Sequence, residues 1–394
     1  MVFGKLWYIY YRRVKIMGKK LKYLDKTLLF TTVLLFIIGL VFVFSSSNVT
    51  AYMSKGVSPY YYFIRQAEFL GVGLIMSLLM VSLNTKVYGK ISYLLMIGTI
   101  VALFALLLYG SATNHAISWF QIGAFKIQPS EFIKVITIVF LADYYDANRG
   151  KLTGWLKCLL PIGLCIIVVG LICAQPDLGT AFIYSAIVGA IFIAVPMAKE
   201  IKYKVVFVAF VVVILGLFTI FSFGKTVLLE SKIERFDYKN PCDKILENGS
   251  QVCNCYIAIN NGGLFGVGLG NSTQKYLYLP EPYTDFIYAI IVEEAGIAMG
   301  IFIIILYMIV LWRILKIGRN SPSNRGALLC YGTAIYIFLH IAINLLGIMG
   351  VIPLTGVPLP FMSYGGSFTI CLIAALTMVQ RVSVDNGLLK EKGD

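Results

Sequence analysis

Apolar runs recur from end to end of the chain, and short polar intervals separate them. Each run approaches the roughly 20 residues that a helix needs to cross a bilayer. The runs predict about ten transmembrane helices, with bounds good to a few residues. Their ranges are 27–44, 69–83, 91–108, 132–145, 159–173, 181–195, 205–223, 286–311, 328–349 and 368–379. The pattern therefore predicts an all-α integral membrane fold.

The apolar runs form one membrane domain, 27–382, between a basic tail at 1–26 and a short tail at 383–394. The first run is too long for the core of a signal peptide. Ser45, Ser46 and Ser47 after it offer no clear cleavage site. We therefore interpret it as an uncleaved first helix.

The composition is 59% hydrophobic and 13% charged, which excludes an ordinary soluble domain. The 33 Lys+Arg against 19 Asp+Glu could indicate nucleic-acid binding, but the basic residues lie in alternate gaps between runs. Such a distribution marks the cytoplasmic side of a membrane protein. It predicts that both termini are cytoplasmic and that no nucleic acid is bound. The gap residues are Lys86, Lys90, Arg149, Lys151, Lys157, Lys199, Lys202, Lys204, Arg313, Lys316, Arg319 and Arg325.

The opposite, extracellular face receives four segments, including a large loop between predicted helices seven and eight. The segments are 111–130, 174–180, 224–285 and 350–366. Of the eight cysteines, Cys242, Cys253 and Cys255 fall in the large loop, where one disulfide would leave one thiol over. Two histidines in the whole chain are too few for a histidine metal centre.

A glycine-rich stretch at 262–270 and two carboxylates, Glu281 and Asp285, end the large loop. Glycines allow sharp bends and a close approach to a ligand. No strand precedes them, so they do not form a nucleotide-binding pattern. A carboxylate at the edge of an apolar helix is costly unless it has a partner or a task. We therefore interpret Asp285 as the residue at which the chemistry takes place.

The other outward segments carry further polar candidates. Glu131 and Lys134 are three residues apart on one helical face, and either a structural ion pair or a catalytic role is compatible with that spacing. Trp119 is typical of an interfacial aromatic belt or of a platform for a sugar or lipid. Asp177 is a helix cap or a site residue.

Cations and amides in the large loop complete the set. Arg235 and Lys275 could balance an anionic substrate, although a solvated face is the simpler interpretation, and Gln251 precedes the glycines. Ser363 lies in the Pro- and Gly-rich segment 350–366. Such non-helical backbone is tolerated at membrane depth only where protein covers it or a cavity adjoins it.

Four motifs occur in order on the predicted outer face. They are Gln128-Pro129-Ser130-Glu131, Gln175-Pro176-Asp177-Leu178-Gly179-Thr180, Leu279-Pro280-Glu281 with Thr284-Asp285-Phe286, and Pro358-Leu359-Pro360-Phe361 with Ser363-Tyr364-Gly365-Gly366. Together they resemble the SEDS family (shape, elongation, division and sporulation), whose members include FtsW, RodA and SpoVE. The resemblance covers nearly the whole chain, and residues 39–42 and 355–358 favour the FtsW type.

The resemblance implies a peptidoglycan glycosyltransferase that polymerises lipid II on the outer face of the cytoplasmic membrane. It implies Asp285 as the essential carboxylate and functional positions at Trp119, Glu131 and Lys134. It also implies a divalent cation, Mg²⁺ or Mn²⁺, with Asp285 and Glu281 as candidate ligands, and no nucleotide. The implied partners are lipid II, the growing glycan strand, a class B penicillin-binding protein and other membrane proteins of cell division or elongation.

One departure from the family pattern bears on the site. Ser118 stands before Trp119 where the family usually has arginine, so Arg235 or Lys275 would have to face the substrate diphosphate. Two other functions fit many spans and intramembrane charges: a lipid flippase or transporter, and a scaffold that only recruits the transpeptidase. A transporter favours a site near the membrane midplane, whereas these motifs gather on one face.

Overall fold

The computed structural model describes residues 21–113, 116–123, 125–152, 155–197, 199–204, 241–244, 249–276 and 278–393. The helices of these ranges are α1 Lys26–Met53, α2 Tyr61–Ser82, α3 Thr85–Tyr109, α4 Pro129–Ala147, α5 Trp155–Ala174, α6 Leu178–Ala194, α7 Ser250–Gly262, α8 Ile287–Arg319, α9 Asn324–Ile348 and α10 Gly366–Gly393. Three strands, β1 Ser111–Thr113, β2 Ala116–Ile122 and β3 Phe125–Ile127, connect α3 to α4.

Seven helices in the described ranges are long and apolar enough to cross a membrane: α1, α2, α3, α5, α8, α9 and α10. α6 is apolar but shorter, and α4 carries charged residues although most of its length is buried. Nine predicted spans therefore coincide with α1 to α6 and α8 to α10. The predicted span 205–223 lies outside the described residues, so the all-α membrane fold is confirmed and the count of about ten stays a prediction.

Ion pairs form a polar layer at one end of the bundle. Asp25 caps α1 by accepting a 2.8 Å hydrogen bond from the Leu28 amide, and its carboxylate pairs with Arg313 near the end of α8. Arg325 at the start of α9 pairs with Asp143 at 2.7 Å. Both arginines lie in gaps that the charge pattern predicts to be cytoplasmic. The arginine–carboxylate pairs therefore lie at the end of the bundle that the charge pattern assigns to the cytoplasm.

The three strands were not predicted from the sequence. They form an antiparallel sheet in the order β1-β2-β3, with Phe120 paired to Ile127 and Gln121 to Lys126. Gly123, at φ +60°, makes the turn between β2 and β3. The sheet immediately precedes α4 in the chain, and its central strand carries Trp119.

The helix α8 is broken at Gly296, where φ is 83° and ψ is 168°. The glycine-rich loop fills the break. The amides of Val267 and Gly268 donate to the carbonyls of Glu293 and Glu294 at 3.0 and 2.9 Å. The carbonyl of Gly263 in turn accepts a 2.9 Å hydrogen bond from the amide of Ile297. The loop thus satisfies backbone groups that the break leaves without helical partners.

The segment between α9 and α10 enters the membrane domain without forming a helix. Leu359, Phe361 and Met362 are almost fully buried, and the Tyr307 hydroxyl donates to the carbonyl of Pro360 at 2.6 Å. A Cβ on Gly39 of α1 would lie 2.0 Å from the Phe361 carbonyl oxygen, so only glycine allows this contact. Protein covers the segment, which is the condition for non-helical backbone at this depth.

Candidate functional site

Asp285 is half-buried at the entrance of α8, two residues before the helix begins. A tight turn leads to it: Glu281 has φ +51°, and its carbonyl accepts hydrogen bonds from the Thr284 amide at 3.1 Å and hydroxyl at 2.9 Å. The turn reverses the chain between the outer loop and α8. It presents the Asp285 carboxylate at the end of the bundle opposite the ion-pair layer.

The backbone on both sides of this carboxylate is held by side chains from two other segments. The Asn344 amide group on α9 donates to the carbonyls of Asp285, at 2.8 Å, and Val357, at 2.9 Å. The Ser363 hydroxyl donates to the Thr284 carbonyl at 2.6 Å and accepts from the Leu359 amide at 2.8 Å. Asp285 therefore has a position fixed by α9 and by the buried segment before α10.

Gly356 faces the Asp285 carboxylate. A Cβ on Gly356 would lie 3.4 Å from Asp285 Oδ2, and the residue has φ +68°. A side chain at this position would strain the backbone and narrow the space in front of the carboxylate. The missing side chain keeps that space open.

The surroundings alter the acidity of Asp285. Burial, and to a smaller extent the negative charge of Glu281, together raise its pKa to about 6. Burial raises the pKa of Tyr283 as well, and its hydroxyl donates to the Glu281 carboxylate. A carboxylate with a pKa near neutrality is suited to accept and release a proton at physiological pH.

Glu131 and Lys134 form the ion pair that their spacing predicts. Lys134 Nζ lies 2.8 Å from Glu131 Oε1 and 3.1 Å from His340 Nε2, and all three side chains are buried. Because the ammonium donates to Nε2, His340 carries its proton on Nδ1, which lies 3.4 Å from the Pro358 carbonyl oxygen. The ion pair thus supports the buried segment that faces Asp285.

Asp177 caps α6, accepting from the Thr180 amide at 3.0 Å, and its other oxygen lies 3.5 Å from Gln128 Nε2. A Cβ on Gly179 would lie 3.1 Å from Thr355 Cβ, so this turn packs directly beside Gly356. The first predicted segment therefore contacts the second, the second contacts the fourth, and the fourth faces the Asp285 carboxylate of the third.

The remaining candidates lie elsewhere or are engaged. Lys275 is buried, with Nζ 3.0 Å from Glu294 Oε1 and 2.7 Å from the Gly270 carbonyl oxygen, so its charge is already balanced. Gln251 is half-buried in the first turn of α7. Trp119 is half-buried on β2, next to a fully buried Ser118. Arg235 lies outside the described residues.

Two residues that the sequence did not single out as site residues, Asn344 and Gly356, shape the surroundings of Asp285. The signal that could have found Asn344 is a polar residue in an apolar helix, which commonly bonds to a neighbouring segment of the bundle. The glycine stretch, expected to approach a ligand, instead approaches the backbone of α8. A Cβ on Gly266 would lie 2.2 Å from the Glu294 carbonyl oxygen.

A disulfide joins Cys242, in the short 3₁₀ turn Pro241–Lys244, to Cys253 on α7. Cys255 is buried and reduced. The pattern of one disulfide with one thiol left over agrees with what the sequence allowed. The bond ties α7 to the part of the large loop that precedes it.

The chain matches the model of the cell cycle protein family of FtsW, RodA and SpoVE over residues 26–387. It belongs to this family. FtsW, RodA and SpoVE are the SEDS proteins that the four motifs resemble, so the resemblance drawn from those motifs is confirmed.

Curated relatives of this family align along almost their full length. The probable peptidoglycan glycosyltransferase FtsW of Bacillus subtilis is 37% identical over 370 residues, 93% of this chain and 92% of the relative. Stage V sporulation protein E of the same species is 35% identical over 364 residues, 91% of this chain and 96% of the relative. The FtsW-like alignment agrees with the motifs that favoured the FtsW type.

Solved structures share the fold. A chain of a peptidoglycan synthase complex, described as coordinating polymerization and crosslinking, superposes with a TM-score of 0.74 at 24% identity, covering 92% of this chain and 98% of that one. The rod shape determining protein RodA of Thermus thermophilus superposes with a TM-score of 0.66, also at 24% identity, covering 92% of this chain and 97% of that one.

Proposed function

We propose that this chain is a peptidoglycan glycosyltransferase that polymerises lipid II, with Asp285 as the catalytic base. The observation that carries the proposal is a half-buried carboxylate with a pKa of about 6, at a place where the motif-bearing segments meet. The names of the FtsW relatives support the reaction. The substrate follows from the family and from an outer site with no nucleotide-binding pattern.

In this mechanism Asp285 accepts the proton of the acceptor sugar hydroxyl while that oxygen attacks the anomeric carbon of the donor. The new glycosidic bond forms as the bond from the anomeric carbon to the diphosphate breaks, and undecaprenyl diphosphate leaves with the electron pair. A positioned base contributes roughly 10²–10⁴-fold to such a step. Asp285 then releases the proton to water at the outer surface.

A divalent cation fits the donor set at Asp285 in part. The described residues contain no group of three or more His, Cys, Asp or Glu side chains arranged around one point. Mg²⁺ commonly binds one or two carboxylates together with substrate phosphates. Asp285 and Glu281, whose charges interact, would supply those carboxylates. When bound, the cation would neutralise charge on the diphosphate. Lys275 is not available for this role because it pairs with Glu294, and Ser118 carries no charge.

Supporting roles follow from the contacts. Glu131 and Lys134 hold the Pro358 segment through His340. Asp177 fixes the turn beside Gly356, and Ser363 fixes the backbone of Thr284. We assign Trp119, which is half-buried on β2, to substrate packing, because an indole ring is suited to contact a sugar or lipid.

The outward orientation rests on two observations from separate parts of the chain. Basic residues gather at the end opposite Asp285. The Cys242–Cys253 disulfide lies on the Asp285 side, because the Tyr256 hydroxyl of α7 donates to the Met349 carbonyl, at the end of α9 remote from Arg325. Disulfides persist outside the cytosol. A site on the outer face would act beside a class B penicillin-binding protein, as expected for a chain that folds like a member of a synthase complex.

The proposal is tested with purified protein and lipid II, by following glycan polymer on a gel. The native chain should polymerise, and Asp285→Asn should reduce the rate at least about 10²-fold. Glu68→Gln, a change at an exposed carboxylate of α2, is the matched control and should keep full activity. Polymer made by Asp285→Asn at the native rate would exclude Asp285 as the base. Translocation of lipid II by the native chain without polymer formation would identify a flippase. Absence of both translocation and polymer formation would indicate a scaffold.

A second measurement tests the cation. Chelation of divalent ions should abolish polymer formation, and added Mg²⁺ or Mn²⁺ should restore it. Glu281→Gln should raise the Mg²⁺ concentration needed for half-maximal rate, because one of two carboxylate ligands loses its charge. An unchanged rate in excess chelator would rule out the cation.

A further inference from the structure

Four apolar side chains of the glycine-rich loop are exposed, and we call them the apolar tip: Leu264 (66%), Phe265 (84%), Val267 (40%) and Leu269 (63%). The main chain of the loop is hydrogen-bonded to α8 at the break, so the backbone that carries these side chains is held in place. Phe265 is more exposed than any of its neighbours in the tip. Such a cluster on a soluble surface would be an unsatisfied hydrophobic patch.

The depth of the apolar tip follows from two helices measured separately. On α1, Ser45 lies 20 residues from Asp25, about 30 Å at 1.5 Å per residue. On α8, the break at Gly296 lies 17 residues from Arg313, about 26 Å, and Glu294 lies two residues beyond the break. Asp25 pairs with Arg313, and the Ser45 hydroxyl donates to Glu294 Oε2 at 2.6 Å. The two polar contacts are therefore separated by the thickness of the hydrocarbon core, about 30 Å.

Gly296 lies two residues from Glu294, at the level where the hydrocarbon core ends. The carbonyl of Leu264 accepts a 3.2 Å hydrogen bond from the amide of Ala298, which places the apolar tip at this same level. The amides and carbonyls on either side of the tip are bonded to α8, so immersion of the side chains exposes few unpaired polar groups.

From this geometry we propose that the apolar tip inserts into the outer lipid leaflet, at the boundary between headgroups and acyl chains. The tip joins α7 to α8 and therefore fixes the depth of the large loop. Burial of four apolar side chains in the acyl region is favourable by the hydrophobic effect. The inference does not depend on the reaction proposed above.

The test uses tryptophan as a depth probe in vesicles of phosphatidylcholine. Phe265→Trp is compared with the parent protein, and its added fluorescence is measured with brominated lipids and with aqueous iodide. Ile305→Trp, at an exposed apolar position of α8, lies nine residues beyond Gly296, about 14 Å along the helix, and calibrates depth. Leu269→Trp is a second reporter should Phe265→Trp fold poorly.

We expect the added fluorescence of Phe265→Trp to be blue-shifted and largely lost with lipids brominated near the carboxyl end of the acyl chain. The Ile305→Trp signal should be lost more strongly with lipids brominated near the methyl end. Iodide should quench neither. Quenching of Phe265→Trp and Leu269→Trp by iodide, with no effect of brominated lipid, would overturn the proposal. Protection from iodide that arises only on addition of a partner protein would also overturn it, in favour of a protein-docking surface.

Discussion

At the scale of single residues, the site consists of one reactive side chain and several that hold its backbone. Asp285 receives no described side-chain hydrogen bond at its carboxylate, whereas Asn344 and Ser363 bond the carbonyls of residues 284 and 285. The carboxylate is therefore free to meet a substrate while its position is fixed. Burial and the charge of Glu281 set its acidity.

The pH dependence of polymerisation follows from that acidity. The base form of Asp285 is populated only above its pKa of about 6, so the rate should fall as the pH is lowered through that value. Glu281→Gln removes the negative charge that raises this pKa, and the acidic limb should move to lower pH. Rates of the native and variant chains, measured at saturating lipid II from pH 5 to 8 and extrapolated to low Mg²⁺, give the comparison, because a bound cation would itself lower the pKa of Asp285. An acidic limb that stays in place would mean that another group controls the rate.

Residue identities predicted part of this site. The ion pair between Glu131 and Lys134 follows from a three-residue spacing, which a helix converts directly into contact. The role of Gly356 could not be predicted, because a glycine carries no chemistry and its importance comes from the carboxylate that faces it across the fold. The engagement of Lys275 by Glu294 likewise depends on a tertiary contact between residues 19 positions apart.

At the scale of elements, the break in α8 is the feature that organises the end of the bundle that carries Asp285. It lets a single apolar stretch combine a short helix, which starts beside Asp285, with a longer membrane-crossing helix. Sequence periodicity predicted one span at 286–311 and could not detect the break, because the residues around Gly296 are uniformly apolar or acidic. The partner of the break, the glycine-rich loop, was predicted to bend but not to bond with α8.

Gly296→Ala tests the break. The backbone at φ 83° and ψ 168° belongs to a region that only glycine adopts readily, and a Cβ would lie 2.2 Å from the Leu264 carbonyl oxygen. We expect a loss of about 1–3 kcal/mol of stability from the backbone strain alone, with the steric overlap adding to it, measured as a lower melting temperature of the detergent-solubilised protein. Gly98→Ala in α3, where nothing lies within 4 Å of the new Cβ, is the control and should change stability by no more than about 1 kcal/mol. Equal melting temperatures for the two variants would contradict the assigned geometry.

At the scale of the whole molecule, the two ends of the bundle differ in chemistry. One end holds the pairs of Arg313, Arg325 and Arg381 with carboxylates, and the other holds Asp285 and the disulfide. Hydropathy and charge predicted this polarity well, because both are summed over many residues and tolerate errors in any one of them. The three-stranded sheet escaped prediction, since strands of three to seven residues leave only a weak pattern.

Reporter fusions test the orientation. Green fluorescent protein fused after Asp394 should fluoresce, because it folds in the cytosol. Alkaline phosphatase fused after Lys244 should be active, because it requires export. The same phosphatase fused after Lys151, in a gap predicted to be cytoplasmic, should be inactive. The opposite result at Lys244 and Lys151 would reverse the proposed membrane orientation and would place Asp285 on the inner side.

The way in which Asn344 and Ser363 hold main-chain carbonyls has a genetic consequence. Because neither contact involves the Asp285 carboxylate, an Asp285→Asn chain should keep the native shape and occupy its partners without making polymer. Such a chain, expressed beside an active copy, should act as a dominant-negative inhibitor of growth, whereas a misfolded variant such as Gly296→Ala would be degraded and recessive. Colony counts on plates that induce each variant test this: expression of Asp285→Asn should reduce the count, and expression of Gly296→Ala should not.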